Sequence, residues 1–302
     1  RLCHQGFSIA SRVNAVMKIA RLFICFYSDR LASRPAILMP FIANRVFGWE
    51  PVSVDASWGM RDLPQGVAQS VCRTLMCEEC GMLFLDMRFD DEEMAALYDD
   101  YRGPAYTATR DRFEPGYSAR NTLFDDGADY GAQAEALLAP LLPARPRVLD
   151  WGGDSGVNTP FRGRAAQHDI YDISGRPVVD GARAVDHAAA RANRYDLIAC
   201  CHVIEHVSHP FDILRDMAGA MRDDTLLYLE VPFEDVARLN DEPARRLELK
   251  RHWHEHINFY SAEAVDALLR RAGLSVVARD THPITAGGKT THVFAVAARK
   301  AA

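Results

Sequence analysis

Two stretches of this chain concentrate side chains that do chemistry: DLIACCHVIEHVSHP at residues 196–210 and RHWHEHINFYS at residues 251–261. They hold six of the 11 histidines, each stretch with a glutamate among them. Neutral imidazole and carboxylate both suit zinc or iron. The same residues suit proton transfer, because histidine titrates close to neutral pH. In the second stretch His252, His254 and His256 with Glu255 therefore read as metal ligands, as an acid/base set, or as a plain solvated loop. A third group lies upstream, where Cys77 and Cys80 form a C-x-x-C-G, half of a zinc knuckle, with Cys72 nearby. Cys72, Cys77 and Cys80 are candidate ligands for a zinc ion, the alternative being a ribbon without metal.

Which of these chemistries is available depends on the elements that position the residues. With 302 residues, 48% of them hydrophobic, the chain can form one large domain and a smaller appendage. A net charge of −6 and a pI of about 6.0 provide no overall attraction to nucleic acid, so no nucleic-acid partner is expected. Seven cysteines are too sparse for a disulfide framework, which points to reduced thiols and a cytoplasmic protein. Residues 9–28 are apolar but interrupted by Arg12, Lys18 and Arg21, and the uncharged run falls short of the roughly 20 residues that cross a bilayer. No integral membrane segment is expected; an amphipathic helix on the protein's own core, or on a membrane surface, fits this stretch better. No signal-peptide cleavage pattern is evident.

From residue 140 the texture becomes regular. RVLDW, HDIYDIS, RPVVDGARAV, YDLIACC and TLLYLEVP are short apolar runs separated by turns and helix-like segments. Such runs are what a parallel sheet buried on both faces requires, and they predict a doubly wound α/β domain. Phe211, Leu214, Met217, Ala218 and Met221 draw an apolar stripe after Pro210. A second helix begins at Ser261, buries Val265, Leu268 and Leu269, and ends at Gly273 in a left-handed conformation. LSVVAR and THVFAVAAR form a closing strand pair, whose connection DTHPITAGGKT is too long for a tight hairpin. Within YDLIACC, Cys200 and Cys201 alternate across a strand and cannot both face one ion.

VLDWGGDSG, residues 148–156, is a strand running into a glycine-rich turn at the carboxyl edge of the sheet, where open α/β folds bind ligands. Asp172 ends the next strand about 20 residues on, where a carboxylate can accept both hydroxyls of a ribose. A nucleoside-containing ligand fits this pair better than a bare phosphate. The glycine spacing does not match G-x-G-x-x-G, which disfavours an NAD-dependent oxidoreductase.

LDWGGDSG, YDIS and YDLIACCHVIEHVSHPFDILRDMAGAMRDDTLLYLEVP, in this order, resemble the class I S-adenosylmethionine-dependent methyltransferases over about half the chain. The resemblance implies a seven-stranded, mostly parallel Rossmann-like sheet and S-adenosylmethionine as cofactor. It places Asp150, Gly152, Gly153 and Gly156 along the methionine and ribose, Asp172 on the ribose hydroxyls, Ile173 and Ser174 near the adenosine, and His202 beside the cofactor. Asp154 stands where the family has its middle glycine; aspartate tolerates left-handed angles better than most residues, and its carboxylate could meet the cofactor's ammonium group. Glu205 and His206 fall in a recurrent structural segment for which the resemblance implies no metal. HEHINFYSAEAVDALLRRAGLSVV is further similar to nucleotide-sugar C-methyltransferases, in which a Tyr-His-Glu-His segment borders the substrate. Trp253 takes the place of its tyrosine, His254 follows, and Glu255 and His256 fall on its catalytic positions, with His256 as general base.

The expected organisation is a helical extension over 1–35, a zinc-ribbon-like and lid region over 36–125, and a cofactor-binding domain over 126–302. Arg102, Arg110 and Arg112 in the lid would contact an anionic or glycan-like group. The expected activity is methyl transfer to a small-molecule or saccharide-like acceptor, with a homodimer as one compatible assembly. The competing reading is a catalytically inactive member of the fold that serves as a binding or assembly subunit.

Overall fold

A computed structural model describes residues 30–55, 57, 66–68, 71–119, 130–286 and 289–301. The apolar stretch at 9–28, and with it most of the expected helical extension, lies outside the described residues. Among the described residues the order is β1 (Leu31–Leu38), α1 (Pro40–Phe47), β2 (Val52–Val54), β3 (Gly66–Ala68), β4 (Val71–Cys77), β5 (Leu83–Leu85), α2 (Asp91–Tyr98) and α3 (Pro104–Phe113). It continues with α4 (Tyr130–Leu138), β6 (Arg147–Trp151), β7 (Gln167–Tyr171), β8 (Arg183–Ala184), α5 (His187–Ala192), β9 (Leu197–Cys201), α6 (Pro210–Ala220) and β10 (Leu226–Pro232). Last come α7 (Asp235–Arg238), α8 (Pro243–Leu249), β11 (His252–Trp253), β12 (Asn258–Phe259), α9 (Ala262–Arg271), β13 (Leu274–Ala286) and β14 (Lys289–Lys300).

The larger sheet has seven strands in the order β13-β14-β10-β9-β6-β7-β8. Strands β10, β9, β6, β7 and β8 pair in parallel, and β14 and β13 join antiparallel. Alternate residues feed two cores, one per face. Leu149, Ile198, Cys200, Leu227 and Leu229 enter one, while Val148, Leu197, Ala199, Leu226 and Tyr228 enter the other. Burial on both faces is why these strands read as unbroken apolar runs. Cys200 and Cys201 follow the same alternation, Cys200 in the first core and Cys201 against the second. Because β6 lies between β7 and β9, chain order reverses there, and the carboxyl ends of β6 and β9 open onto one crevice.

The closing strand pair corrects one expectation. Ala286 is already paired with Lys289, so β13 and β14 run through the segment read as a long connection. Pro283 is tolerated because β13 is the sheet's edge, where one side of the strand needs no donor. Helix α9 is as expected: the Ser261 side chain accepts from Ala264 N–H, and Gly273 follows with φ 73°.

A second sheet has the order β11-β1-β4-β5-β12. Its outer strands come from residues 252–259, so the histidine-rich segment is bound into the sheet built by the amino-terminal half. Trp253 is fully buried, and its indole N–H donates to Thr74 Oγ1 at 2.8 Å, which in turn donates to the Lys250 carbonyl at 2.8 Å. This sheet takes the place of the expected zinc ribbon. Cys72 and Cys77 lie five residues apart on β4 and therefore on opposite faces. Burial pushes the Cys72 thiol up to about 12. Among the described residues no group of three converging metal donors includes Cys72, Cys77 or Cys80. Nor is any described helix long and apolar enough to cross a membrane.

Trp253 joins the two halves of the chain, and its loss should be felt globally. Trp253→Ala removes a large buried side chain and the indole N–H that Thr74 Oγ1 accepts, and urea unfolding should show a loss of about 3–5 kcal/mol. An unchanged midpoint would mean that β11 adds nothing to the second sheet.

Candidate active site

The turn after β6 is built from close contacts. Gly152 has φ 80° and Gly156 φ 80°, with Asp154 also left-handed at φ 52°. A Cβ on Gly152 would lie 2.5 Å from Val203 Cγ2, and one on Gly153 would lie 2.4 Å from Asp150 Cγ. Glycine is thus required at both positions by backbone shape or neighbours. Asp150 is buried beneath the turn and accepts from Thr159 Oγ1 at 2.5 Å. Burial, reinforced by the charges of Asp172 and Asp154, raises its carboxyl to about 7 against the opposing Thr159 hydrogen bond.

Asp172 ties this turn to the loop after β7. Its two oxygens accept from Asp154 N–H at 2.9 Å and Ser174 N–H at 2.7 Å. Ile173 beside it is 79% exposed, an apolar side chain held at the crevice with nothing covering it. Asp154 pairs with Arg176 at 2.6 Å through one oxygen, while Oδ1 accepts no hydrogen bond among the described residues. Burial raises the Asp154 carboxyl, opposed by Arg176 and by Arg102 of the α2–α3 turn, which brings the amino-terminal region over this end of the crevice.

The loop after β9 supplies the second wall. His202 has φ 56°, an uncommon conformation for a residue with a side chain, and one that its surroundings must enforce. Its Nε2 lies 2.9 Å from Glu230 Oε1 and its Nδ1 lies 3.4 Å from Glu205 Oε1. Burial opposes its charge, but these two carboxylates outweigh burial and raise the imidazole to about 10. Next along the loop, the His206 Nδ1 lies 2.8 Å from Tyr98 Oη and 3.3 Å from the Glu255 carbonyl. Burial and the neighbouring His256 push His206 down to about 4.

The three residues of the His-Glu-His segment are placed differently from one another. His254 lies in ion-pair contact with Glu114 through Nε2 at 2.5 Å, and the Arg110 guanidinium approaches the same nitrogen at 2.8 Å. Glu255 pairs with Arg110 at 2.7 Å and accepts from Tyr106 Oη at 3.3 Å. Burial works against its charge, yet Arg110 and His254 hold its carboxyl far below the usual range. His256 differs: its Nδ1 lies 3.1 Å from Glu234 Oε1, and its ring stands edge-on to His206 with centroids 4.7 Å apart.

The expected lid arginines are spent internally. Arg110 is buried between Glu255 and Glu114, and Arg112 pairs with Glu50 on the surface. What the amino-terminal region brings to the crevice is tyrosine. Tyr98, Tyr101, Tyr106 and Tyr117 pack on one another, and all but Tyr106 keep some exposed surface. The roles of Tyr98, Glu230 and Glu234 were not foreseen from sequence. Glu234, just past the end of the LLYLEVP strand, carried a signal, since strand carboxyl ends line the crevice; Tyr98 carried none.

Arg110 is the cation on which the Glu255 and Glu114 carboxylates depend. Arg110→Met should cost about 3–5 kcal/mol at pH 7 by urea unfolding, because Glu255 loses its buried cation and Glu114 is left with His254 alone. Both carboxyls have depressed values in the folded state. Their contribution is therefore present above the ordinary value of 4.5 and is lost as pH falls below it. The difference between variant and wild type should accordingly shrink on acidification; a gap independent of pH would contradict this.

Residues 128–279, just over half the chain, match the family described as methyltransferase domain. No curated protein sequence matches the chain. Among solved structures, similarity extends to an S-adenosylmethionine-dependent methyltransferase from Clostridium acetobutylicum, at 11% identity over 61% of this chain and 97% of that one, with a TM-score of 0.42. It extends also to a 1,6-didemethyltoxoflavin-N1-methyltransferase from Burkholderia thailandensis, solved with its substrate and S-adenosylhomocysteine, at 15% identity over 84% of this chain and 100% of that one, with a TM-score of 0.47. The family match is to the methyltransferase domain in general and does not reach as far as nucleotide-sugar C-methylation. The chain belongs to the methyltransferase-domain family.

Proposed function

We propose that this protein methylates a neutral, polyhydroxylated small molecule, saccharide-like in character, with His256 receiving the acceptor's proton. The observation that carries this reading is the union of two features at one crevice: the glycine turn touches the 202–206 loop through Val203, and that loop carries the His206 ring against His256.

The residues of the turn fit the cofactor. Asp172 has lone pairs beyond those used by Asp154 and Ser174 and is a ready acceptor for ribose hydroxyls. Ile173 offers an apolar face for an adenine ring. The Asp154 Oδ1, without a partner among the described residues, suits an ammonium group. When bound, S-adenosylmethionine supplies an electrophilic methyl group with its own leaving group, so the protein must chiefly orient the acceptor and manage one proton.

On the acceptor side, the Glu234 contact places the His256 proton on Nδ1 and leaves the Nε2 lone pair as base. Burial opposes protonation of His256, but Glu234, Glu205 and Glu255 raise its value above 6.5. The tyrosine wall suits hydroxyl-rich acceptors, and the internal pairing of Arg110 and Arg112 leaves little to attract an anionic one. An intact cradle with an oriented histidine leaves no observation that favours a non-catalytic role.

Calorimetry with S-adenosylmethionine and S-adenosylhomocysteine should show binding to one site. Asp172→Ala should weaken it about ten- to hundredfold; undiminished affinity would remove Asp172 from the site. Screening polyhydroxylated metabolites for S-adenosylhomocysteine release identifies the acceptor. On that acceptor His256→Gln should lower kcat by about 10²- to 10⁴-fold without weakening cofactor binding. Since the base must be neutral, kcat should rise with pH above 6.5. Glu234→Gln should move that limb to lower pH, and an unmoved limb would exclude the His256 and Glu234 pair as the titrating unit.

A further inference from the structure

We propose that Glu205, His206 and His256 form a binding site for one divalent first-row transition-metal ion, with coordination positions left open toward the acceptor. The inference rests on the acceptor site proposed above. One donor atom from each of the three residues lies within 4.8 Å of the others. Two imidazoles and one carboxylate are a donor set that suits zinc, iron or cobalt better than magnesium or calcium.

Two further observations point to a ligand at this position. Glu205 is 1% exposed, yet neither of its carboxylate oxygens accepts a hydrogen bond among the described residues. Its close neighbours are His202 Nδ1 at 3.4 Å and His206 Nε2 at 3.8 Å. The His202 charge offsets the burial of this carboxylate, and its oxygens keep lone pairs that an ion can use. The two imidazoles lie at the rim above it, 17% and 29% exposed, so an ion would have its anion beneath and its neutral ligands facing the crevice.

The second observation is how the two rings are held. His206 Nδ1 lies 2.8 Å from Tyr98 Oη and 3.3 Å from the Glu255 carbonyl, and the tautomer that donates to this carbonyl carries its proton on Nδ1. His256 directs its Nδ1 to the Glu234 carboxylate at 3.1 Å. Both rings therefore present a bare Nε2. An imidazole whose other N–H is engaged by a carbonyl or a carboxylate is the usual arrangement around metal-bound histidine.

The metal and the proton compete for one lone pair. With an ion on His256 Nε2, that nitrogen would no longer accept the proton; the ion would instead acidify a coordinated acceptor hydroxyl, whose proton would pass to solvent water. Metal-loaded and metal-stripped protein should then give different pH profiles.

The test is titration of the full, metal-stripped chain with Co²⁺, followed by its visible absorption, alongside calorimetry with Zn²⁺. We expect one equivalent of each, with d–d bands more intense than those of aqueous Co²⁺ and displaced by Zn²⁺ but not by Mg²⁺. His206→Gln should abolish the bands. Glu234→Gln, which alters only the partner of His256, should weaken Co²⁺ by about 10- to 100-fold. Circular dichroism and S-adenosylmethionine binding by the same preparations report folding and the cofactor site separately. Wild-type protein that binds S-adenosylmethionine but shows only the spectrum of aqueous Co²⁺ would overturn the metal site alone, as would bands that survive His206→Gln. Protein that binds Co²⁺ but not S-adenosylmethionine would instead overturn the cofactor site.

Discussion

The site depends on how Glu205 is held. Its backbone carbonyl accepts from both Ile257 N–H at 2.8 Å and Asn258 N–H at 3.0 Å, while its side chain sits between His202 and His206. Asn258 returns the contact, donating to the Ile204 carbonyl at 2.9 Å and the Val207 carbonyl at 2.7 Å. Arg88 in turn donates to Asn258 at 2.9 Å, and Ser208 donates to the Phe89 carbonyl at 2.6 Å. Three separate pieces of sequence are thus joined by hydrogen bonds between largely buried groups. Parting them would leave those groups unpaired away from water, at a cost of about 1–3 kcal/mol each.

That joining explains why the two halves of the crevice can cooperate. The glycine turn belongs to the parallel sheet, and the tyrosines belong to the second sheet and its helices. The 202–208 loop touches both, through Val203 on one side and through Tyr98 and Phe89 on the other. His202 is the electrostatic centre of the loop. As an imidazolium between Glu205 and Glu230, it supplies the positive charge that holds the Glu205 carboxyl below its ordinary value against burial. Its folded-state value is raised, so its stabilising contribution is full below 6.5 and is lost as pH rises through about 10.

Much of this was legible in the sequence because it is periodic or local. The buried runs around Val148 and Leu197, the cap at Ser261 and the left-handed Gly273 follow from residue type and spacing alone. The second sheet was not legible, since β11 and β12 are two residues each and pair with strands more than 150 positions away. Short strands without alternation leave no local trace. For the same reason Glu255 resembled a catalytic carboxylate: its partner Arg110 lies 145 residues upstream. The grouping of Glu205, His206 and His256 was hidden likewise, because convergence in space depends on the contacts of Asn258 and not on any ligand spacing.

The account stands on one crevice in which a nucleoside at the glycine turn faces the histidines of the 202–206 loop and of residue 256. A crystal structure with S-adenosylhomocysteine tests this most directly. The account predicts ribose hydroxyls on the Asp172 carboxylate, the adenine against Ile173, and the sulfur directed toward His206 and His256. A ligand lying elsewhere, or one whose sulfur points away from those two imidazoles, would contradict it.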